Sequence, residues 1–186
     1  EVILREDDTR ITQSCRITIP PGQVISDADG DGVLHIEGDH LKIVFSPGSV
    51  LRGAPAGTPE DQLKGIGVRA DHCRDLVIEG LHVEGFHCGA YLTHVDGLRL
   101  QGAEFQRNFR QRLKSTPQAE DGSDWLWPHD NDEEQWRRNY GAALYVARSR
   151  DVEISEVYVR EQQNGIILDR VDHSRIYDND CSFLSG

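Results

Sequence analysis

The residues best suited to chemistry lie in one acidic stretch and in four segments that begin with glycine. The acidic stretch, AEDGSDWLWPHDNDEEQW, spans residues 119–136 and holds all three tryptophans of the chain. Carboxylates at this density can coordinate calcium, which takes six to eight oxygen ligands, and tryptophan rings can stack on sugars. The predicted calcium ligands are Asp121, Asp124, Asp132 and Glu133, and the predicted sugar-stacking residues are Trp125, Trp127 and Trp136.

The same stretch offers candidates for proton transfer. His129 or a neighbouring carboxylate such as Asp130 could act as a general base. Tyr145 or Arg69 could then assist the proton transfer or stabilise an enolate-like charge. The Pro-His-Asp run ending at Asp130 resembles the Asp-Pro-His-Asp/Glu motif of alginate epimerases, with a tryptophan in place of the leading aspartate.

Four glycine-led segments form an internal repeat. Their first residues are Gly65, Gly89, Gly141 and Gly165; the first pair and the last pair are equally spaced, and a longer interval separates Gly89 from Gly141. Each unit contains three short segments in which apolar residues alternate, the pattern of three strands. No unit can bury its apolar side alone, so stacked units with parallel strands are expected. The alternative, a β-sandwich, requires two-residue hairpin turns, and these do not recur here.

Stacking predicts which side chains face outward. Residues two and four after each glycine should point to solvent, while residues one and three, such as Ile66, should point inward. The second position includes Tyr91, and the fourth-position column reads Arg69, Thr93, Tyr145 and Asp169. Neighbouring strands lie about 4.8 Å apart, so Tyr145 and Asp169 should be adjacent. Such a stripe suits saccharide binding, although ordinary outward polar residues would give the same pattern.

The long interval before Gly141 implies an insertion at residues 108–140, which is called the insertion below. A loop of this length in a compact fold is usually functional or disordered, and its tryptophans argue against disorder. The insertion should project beside the face of the first strands. There it could line a substrate groove, or it could be an acidic cover anchored by tryptophan.

The whole chain, residues 1–186, is predicted to be one domain with an all-β fold. Residues 1–31 should form an opening coil and residues 32–186 the repeat coils of a right-handed parallel β-helix. Because an open end exposes unpaired strand edges, the chain is expected to be part of a longer β-helix.

Two runs carry a family resemblance: GIGVRADHCRDLVIEGLHVEG and GAALYVARSRDVEISEVYVREQQNGIILD. They resemble the repeats of pectate-lyase-like and NosD-like parallel β-helix proteins. The resemblance implies the fold and an extracellular or periplasmic carbohydrate-active protein. The leading expectation is a lyase or epimerase that acts on an acidic polysaccharide or oligosaccharide, with calcium as cofactor. The alternatives are a non-catalytic glycan-binding or structural module and a glycoside hydrolase.

The composition of the chain limits the kinds of partner that it can bind. A formal net charge of −12 disfavours nucleic acid, and no stretch reaches the roughly 18 apolar residues of a membrane span. The oligomeric state is left open. The run DADGDG, residues 27–32, resembles the start of an EF-hand loop but has Gly38 at the twelfth position, so a polar turn is expected. The histidines are predicted not to share a repeat column, which disfavours a metal role.

Overall fold

The computed structural model describes residues 1–125, 131–182 and 184 and is nearly all-β. Trp127, His129 and Asp130 therefore lie outside the described residues. The strands are β1 (Val2–Ile3), β2 (Thr9–Ile11), β3 (Cys15–Thr18), β4 (Leu34–Ile36), β5 (Lys42–Phe45), β6 (Leu51–Arg52), β7 (Ile66–Asp71), β8 (Arg74–Glu79), β9 (His82–Glu84), β10 (Cys88–Thr93), β11 (Asp96–Gln101), β12 (Glu104–Gln106), β13 (Ala142–Ser155), β14 (Tyr158–Arg160), β15 (Ile166–Asp172) and β16 (Arg175–Tyr177). The helices are α1 (Gln135–Tyr140) and two short 3-10 helices, Glu60–Gln62 and Gly122–Asp124.

These strands pair only in parallel and fall into three rows. The first row contains β2, β4, β7, β10, residues 142–147 of β13, and β15. The second row contains β1, β3, β5, β8, β11, residues 150–155 of β13, and β16. The third row contains β6, β9, β12 and β14. The first two rows form one 12-stranded sheet, because β13 runs through both. This parallel architecture is consistent with a β-solenoid.

The observed strand register differs from the register that is obtained by aligning the glycines. Val68 pairs with Ala90, Ala90 with Leu144, and Leu144 with Ile166. The intervals from Val68 to Ala90 and from Leu144 to Ile166 are each two residues shorter than the intervals between the corresponding glycines. The interval from Ala90 to Leu144 is two residues longer. Alignment on the glycines therefore places two of the four segments two residues out of register.

The error arises because glycine serves two purposes in this repeat. Gly65 and Gly141 lie in turns with φ of +76° and +61°, a backbone conformation that favours glycine. Gly89 instead lies inside β10 and points into the core. A Cβ atom there would lie 2.5 Å from the carbonyl oxygen of Ala143 and 2.7 Å from Cδ1 of Phe105.

The inward side chains of the three rows form one apolar core. The largest fully buried members include Phe86, Phe105, Leu76, Ile78 and Leu81. A second, smaller apolar cluster lies on the outer side of the first row and contains Ile66, Cys88, Tyr91, Ala142, Tyr145 and Ala147. Ile66, which was predicted to face inward, belongs to this outer cluster, so that part of the prediction is wrong.

Left-handed residues recur at equivalent turn positions. Between the first and second rows they are His72, His94, Arg148 and Arg170, with φ of 54°, 51°, 47° and 57°. After the second row they are Gly80, Gly102, Glu156 and Asp178. A left-handed conformation costs a non-glycine residue roughly 1–2 kcal/mol, so these turns are imposed by the stacking of each unit on the next.

Replacing Glu156 with glycine should therefore stabilise the protein. Glu156 has φ of +55°, whereas two equivalent positions hold glycine, with φ of +69° and +64°. The expected gain is about 1 kcal/mol in the free energy of unfolding, which corresponds to a rise in Tm of about 2–4 °C. Thermal unfolding followed by circular dichroism measures it. Glu156→Ala is the matched control, because it keeps the Cβ atom; an equal rise in both variants would contradict this explanation.

Candidate functional site

The outer side of the first row, called the outer face, carries the predicted site residues in two columns. Arg69, Tyr91 and Tyr145 pair in register, and Ile167 follows them. The next outward column is Asp71, Thr93, Ala147 and Asp169. The predicted single column of Arg69, Thr93, Tyr145 and Asp169 is therefore wrong in register. A shift of two residues keeps every side chain on the same side of a strand, so all four still share the outer face.

Tyr145 and Asp169 make the contact that the sequence predicted. The Tyr145 hydroxyl donates a hydrogen bond to Oδ2 of Asp169 at 3.1 Å. The contact is diagonal, because Tyr145 pairs with Ile167 and Asp169 pairs with Ala147. Diagonal neighbours lie within reach of a long aromatic side chain.

Glu134 attaches the insertion to the outer face. Its carboxylate accepts a hydrogen bond from the Tyr91 hydroxyl at 2.9 Å and from Arg137 Nε at 3.2 Å, and it also accepts one from Arg148. The residue is only 7% exposed. Burial opposes its ionisation, but the hydrogen bonds from Arg148 and Tyr91 and the charge of Arg137 outweigh that effect and hold the pKa of Glu134 below its usual value. Glu134 is therefore a buried anion shared by three partners.

The helix α1 adds contacts on either side of Glu134. The Arg137 guanidinium lies 4.2 Å from the centroid of the Tyr91 ring, within the range of a cation–π interaction. Nε2 of His87 lies 2.9 Å from the carbonyl oxygen of Arg137 and donates to it. Burial lowers the pKa of His87 and so favours the neutral ring. The insertion thus covers the same flank on which it was predicted to lie.

The insertion shields the Tyr145 side chain from solvent. Nδ2 of Asn131 donates a hydrogen bond to the Tyr145 hydroxyl at 3.3 Å, and the tyrosine is 0% exposed. Burial, together with the nearby charge of Asp169, raises the pKa of Tyr145 to about 12. A substrate on the protein surface does not reach this hydroxyl in the present arrangement. The catalytic role predicted for Tyr145 would therefore require the insertion to move.

The predicted calcium ligands do not converge in the described part of the insertion. Asp121 accepts a hydrogen bond from the amide of Ser123 at 2.9 Å, and Asp124 accepts one from the amide of Ser115 at 2.6 Å. Glu133 pairs with Arg138 at 3.7 Å. Among the described residues, Asp121, Asp124, Asp132 and Glu133 belong to no group of three carboxylates or imidazoles close enough to hold one ion. Binding of calcium by this set stays a prediction.

The tryptophans occupy different surroundings. Trp125 is 53% exposed, whereas Trp136 makes an edge-on contact with Tyr140 at 6.0 Å between ring centroids. Tyr91, which was predicted to bind substrate, is 9% exposed beneath Arg137. Trp125 is thus the better placed of the two described tryptophans to stack on a sugar.

The open part of the outer face is a polar cleft of about 360 Å³. Its lining residues are Arg10, Asp31, His35, Ile36, Glu37, Arg69 and Asp71. The carboxylates of the cleft pair with other groups: Glu37 with Arg10, Asp31 with His35, and Asp71 with two histidines.

Arg69 lies in this cleft without an ion pair to any described residue. Its Nη1 donates to the carbonyl oxygen of Asp31 at 3.3 Å, and its guanidinium lies 6.0 Å from the ring centroid of Tyr91. Within the described part of the chain, the cleft therefore offers a guanidinium that no carboxylate contacts directly.

Two histidines stack at the edge of the cleft. The rings of His72 and His94 are 4.3 Å apart and nearly parallel. Their Nδ1 atoms lie 2.7 Å and 3.2 Å from Oδ1 of Asp71. Because these histidines follow Asp71 and Thr93, which pair in register, they do share a repeat column. The prediction that no histidines share one is wrong for this pair, and the cause is again the two-residue error in register.

Three residues of the site, His35, Asp31 and Glu134, are not distinguished by the sequence pattern. His35 lies in the column of Arg69, because these two residues pair between β4 and β7. The local signal for His35 is a histidine between Leu34 and Ile36 in an apolar strand, but the irregular spacing of this unit hides its place in the column. Glu134 was one carboxylate among many in the acidic stretch, and only its tertiary contacts distinguish it.

Comparison of the chain with protein-family models, with curated proteins and with solved structures gives no match. The resemblance to pectate-lyase-like proteins therefore rests on the repeat residues alone. Within the part of the chain that the structure describes, no helix has both the length and the apolar character needed to cross a membrane.

Proposed function

We propose that the chain is a right-handed parallel β-helix that acts on an acidic polysaccharide bound in the cleft beside Arg69. The observation that carries this proposal is the guanidinium of Arg69, which lies in the polar cleft without an ion pair to a described residue. A guanidinium matches a carboxylate in geometry and can donate two parallel hydrogen bonds to it. A uronate sugar presents such a carboxylate, so uronate polymers are the proposed ligand class.

The proposed activity is β-elimination or epimerisation of the bound uronate. Both reactions begin with removal of the proton next to the carboxylate, and a cation on that carboxylate stabilises the enolate-like charge that develops. His94 is the proposed proton acceptor, since its ring contacts Asp71 and Asp71 lines the cleft. An extracellular or periplasmic location and a calcium cofactor form part of this proposal.

The second candidate function is a non-catalytic glycan-binding module. It is favoured by the closed state of the outer face over Tyr91 and Tyr145, which leaves neither hydroxyl free for chemistry. In this case the cleft holds the sugar carboxylate, and no bond of the polymer changes.

Arg69→Ala should weaken binding of acidic polysaccharide at least tenfold, because a charge-assisted hydrogen-bonding partner contributes about 1.5–3 kcal/mol. Affinity electrophoresis in gels that contain pectate, alginate or a neutral glucan measures this loss. Arg99→Ala is the matched control, since Arg99 lies in the second row, is exposed, and pairs with Glu153 at 4.0 Å. Equal retardation of both variants, or no retardation of the intact protein by an acidic polymer, would overturn the proposal.

Product analysis then separates the two candidate functions. A lyase generates an unsaturated uronate with ultraviolet absorbance, and an epimerase alters the sugar stereochemistry seen by NMR without cleavage. Whether the protein is a lyase or an epimerase, the His94→Ala variant should bind the acidic polysaccharide as before but form no product. Binding that depends on Arg69 with no product from the intact chain would identify the binding module.

A further inference from the structure

Two residues that line the cleft, Asp31 and His35, form with Asp8 a cluster that has the composition of a metal site. We propose that Asp8, Asp31 and His35 bind one divalent transition-metal ion such as Zn²⁺. The three residues come from the loop between β1 and β2, the turn before β4, and the centre of β4. The metal site shares Asp31 and His35 with the proposed saccharide cleft, but zinc binding there does not require the saccharide function.

The spacing of the ligand atoms suits a small cation. Nε2 of His35 lies 3.1 Å from Oδ1 of Asp31 and 3.6 Å from Oδ1 of Asp8. One ligand atom from each of the three residues falls within 4.8 Å of the other two. Two ligands that are each about 2.1 Å from a tetrahedral zinc ion are about 3.4 Å apart. The two measured distances lie on either side of that value.

The imidazole of His35 gives the independent indication of a ligand. Its side chain is only 8% exposed, and Nε2 is buried without a hydrogen-bond partner among the described residues. Oδ1 of Asp31 is likewise buried without a hydrogen bond, although the two atoms face each other at 3.1 Å. Two buried and unsatisfied polar atoms are costly. An ion between them would use a lone pair from each.

Charge and ligand type indicate which ion belongs there. Two carboxylates and a neutral imidazole carry two negative charges, which a divalent cation balances. An imidazole nitrogen suits zinc and its neighbours in the first transition row, whereas calcium prefers six to eight oxygen ligands.

The surrounding backbone holds the cluster in place. Asp7 Oδ2 accepts a hydrogen bond from the amide of Ala28 at 2.8 Å, which ties the loop of Asp8 to the turn of Asp31. Both oxygens of Asp27 accept hydrogen bonds, from the amides of Gly30 and Ile66, and Asp27 forms an all-carboxylate group with Asp29 and Asp31 that lacks the imidazole zinc favours. The DADGDG run thus contributes Asp31 to a mixed site and does not act as an EF-hand loop.

Isothermal titration of the EDTA-treated chain with ZnCl₂ tests the proposal. The expected result is one tight equivalent of zinc and a rise in Tm of several degrees in excess zinc. Asp31→Asn and Asp8→Asn should each lower the affinity at least tenfold. Both side chains are partly exposed, at 41% and 56%, so these variants are expected to fold. His35→Asn should abolish the tight equivalent.

His94→Ala is the decisive control, because Asp71, His72 and His94 form another group of possible ligands on the exposed surface. The proposal requires this variant to bind zinc as the intact chain does. Loss of the tight equivalent in His94→Ala, or unchanged affinity in folded Asp31→Asn and Asp8→Asn, would overturn it. The Co²⁺ complex should also lack a thiolate charge-transfer band, since no cysteine belongs to the proposed site.

Discussion

Replacing Glu134 with alanine should release the insertion from the outer face. The substitution leaves Arg137 and Arg148 without their shared carboxylate and removes the acceptor of the Tyr91 hydroxyl. Breaking a buried ion pair costs on the order of 3 kcal/mol, which should come mainly from the docking of the insertion and not from the sheet. All three tryptophans lie in the insertion, so a red shift of tryptophan fluorescence reports its release.

Glu133→Ala is the matched control for this experiment. Glu133 is the adjacent residue, has a 79% exposed side chain, and pairs only loosely with Arg138 at 3.7 Å. Trypsin should cut at Arg137 and Arg138 faster in Glu134→Ala than in Glu133→Ala, while far-ultraviolet circular dichroism stays the same. Identical fluorescence and cleavage rates in the two variants would show that Glu134 does not hold the cover in place.

The pKa of Glu134 adds a pH dependence to the same contact. Because that pKa is lower when the insertion is docked, the docked state gains stability from ionised Glu134 above the usual value of 4.5. That stability is lost as the pH falls through the lowered pKa. Acidification below about pH 4.5 should therefore produce the fluorescence change in the intact chain, and Glu134→Gln should remove this pH dependence.

Gly89→Ala should destabilise the whole sheet. The added methyl group would lie 2.5 Å from the carbonyl oxygen of Ala143 and 2.7 Å from the Phe105 ring. The carbonyl belongs to a neighbouring strand and cannot move alone, so the expected loss is about 3 kcal/mol in the free energy of unfolding. Urea denaturation measures it. Gly122→Ala is the control, because a Cβ atom there meets nothing within 4 Å; similar midpoints for both variants would refute the packing argument.

The sequence was sufficient to predict the strand rows and the position of the insertion. Alternating apolar residues reflect the inward and outward sides of each strand, and that pattern survives a register error of two residues except at the strand starts, where Ile66 faces outward. The contact between Tyr145 and Asp169 also followed from stacking. The register itself did not follow, because the glycines at 65 and 89 serve different purposes, one in a turn and the other against Phe105.

Whether the site is open or covered could not be predicted from the alternating pattern of the strands. Whether Tyr145 is open or covered depends on where the insertion folds back, and that depends on the contact of Glu134 with Tyr91, residues far apart in sequence. The position of His35 opposite Arg69 depends on the register of an irregular unit. Long-range contacts of this kind leave no local periodicity in the sequence.

Two of the intervals between neighbouring strands have the same length, and this equality affects how such a chain can change in length. The interval from Val68 to Ala90 equals the interval from Leu144 to Ile166, and each brings the backbone to the equivalent place on the next strand of the first row. Duplicating or deleting one such period would preserve the alternation of inward and outward side chains. Gene rearrangement could therefore elongate or shorten the molecule in discrete increments, whereas the loss of a single residue inside a strand would turn the later side chains of that strand to the opposite side.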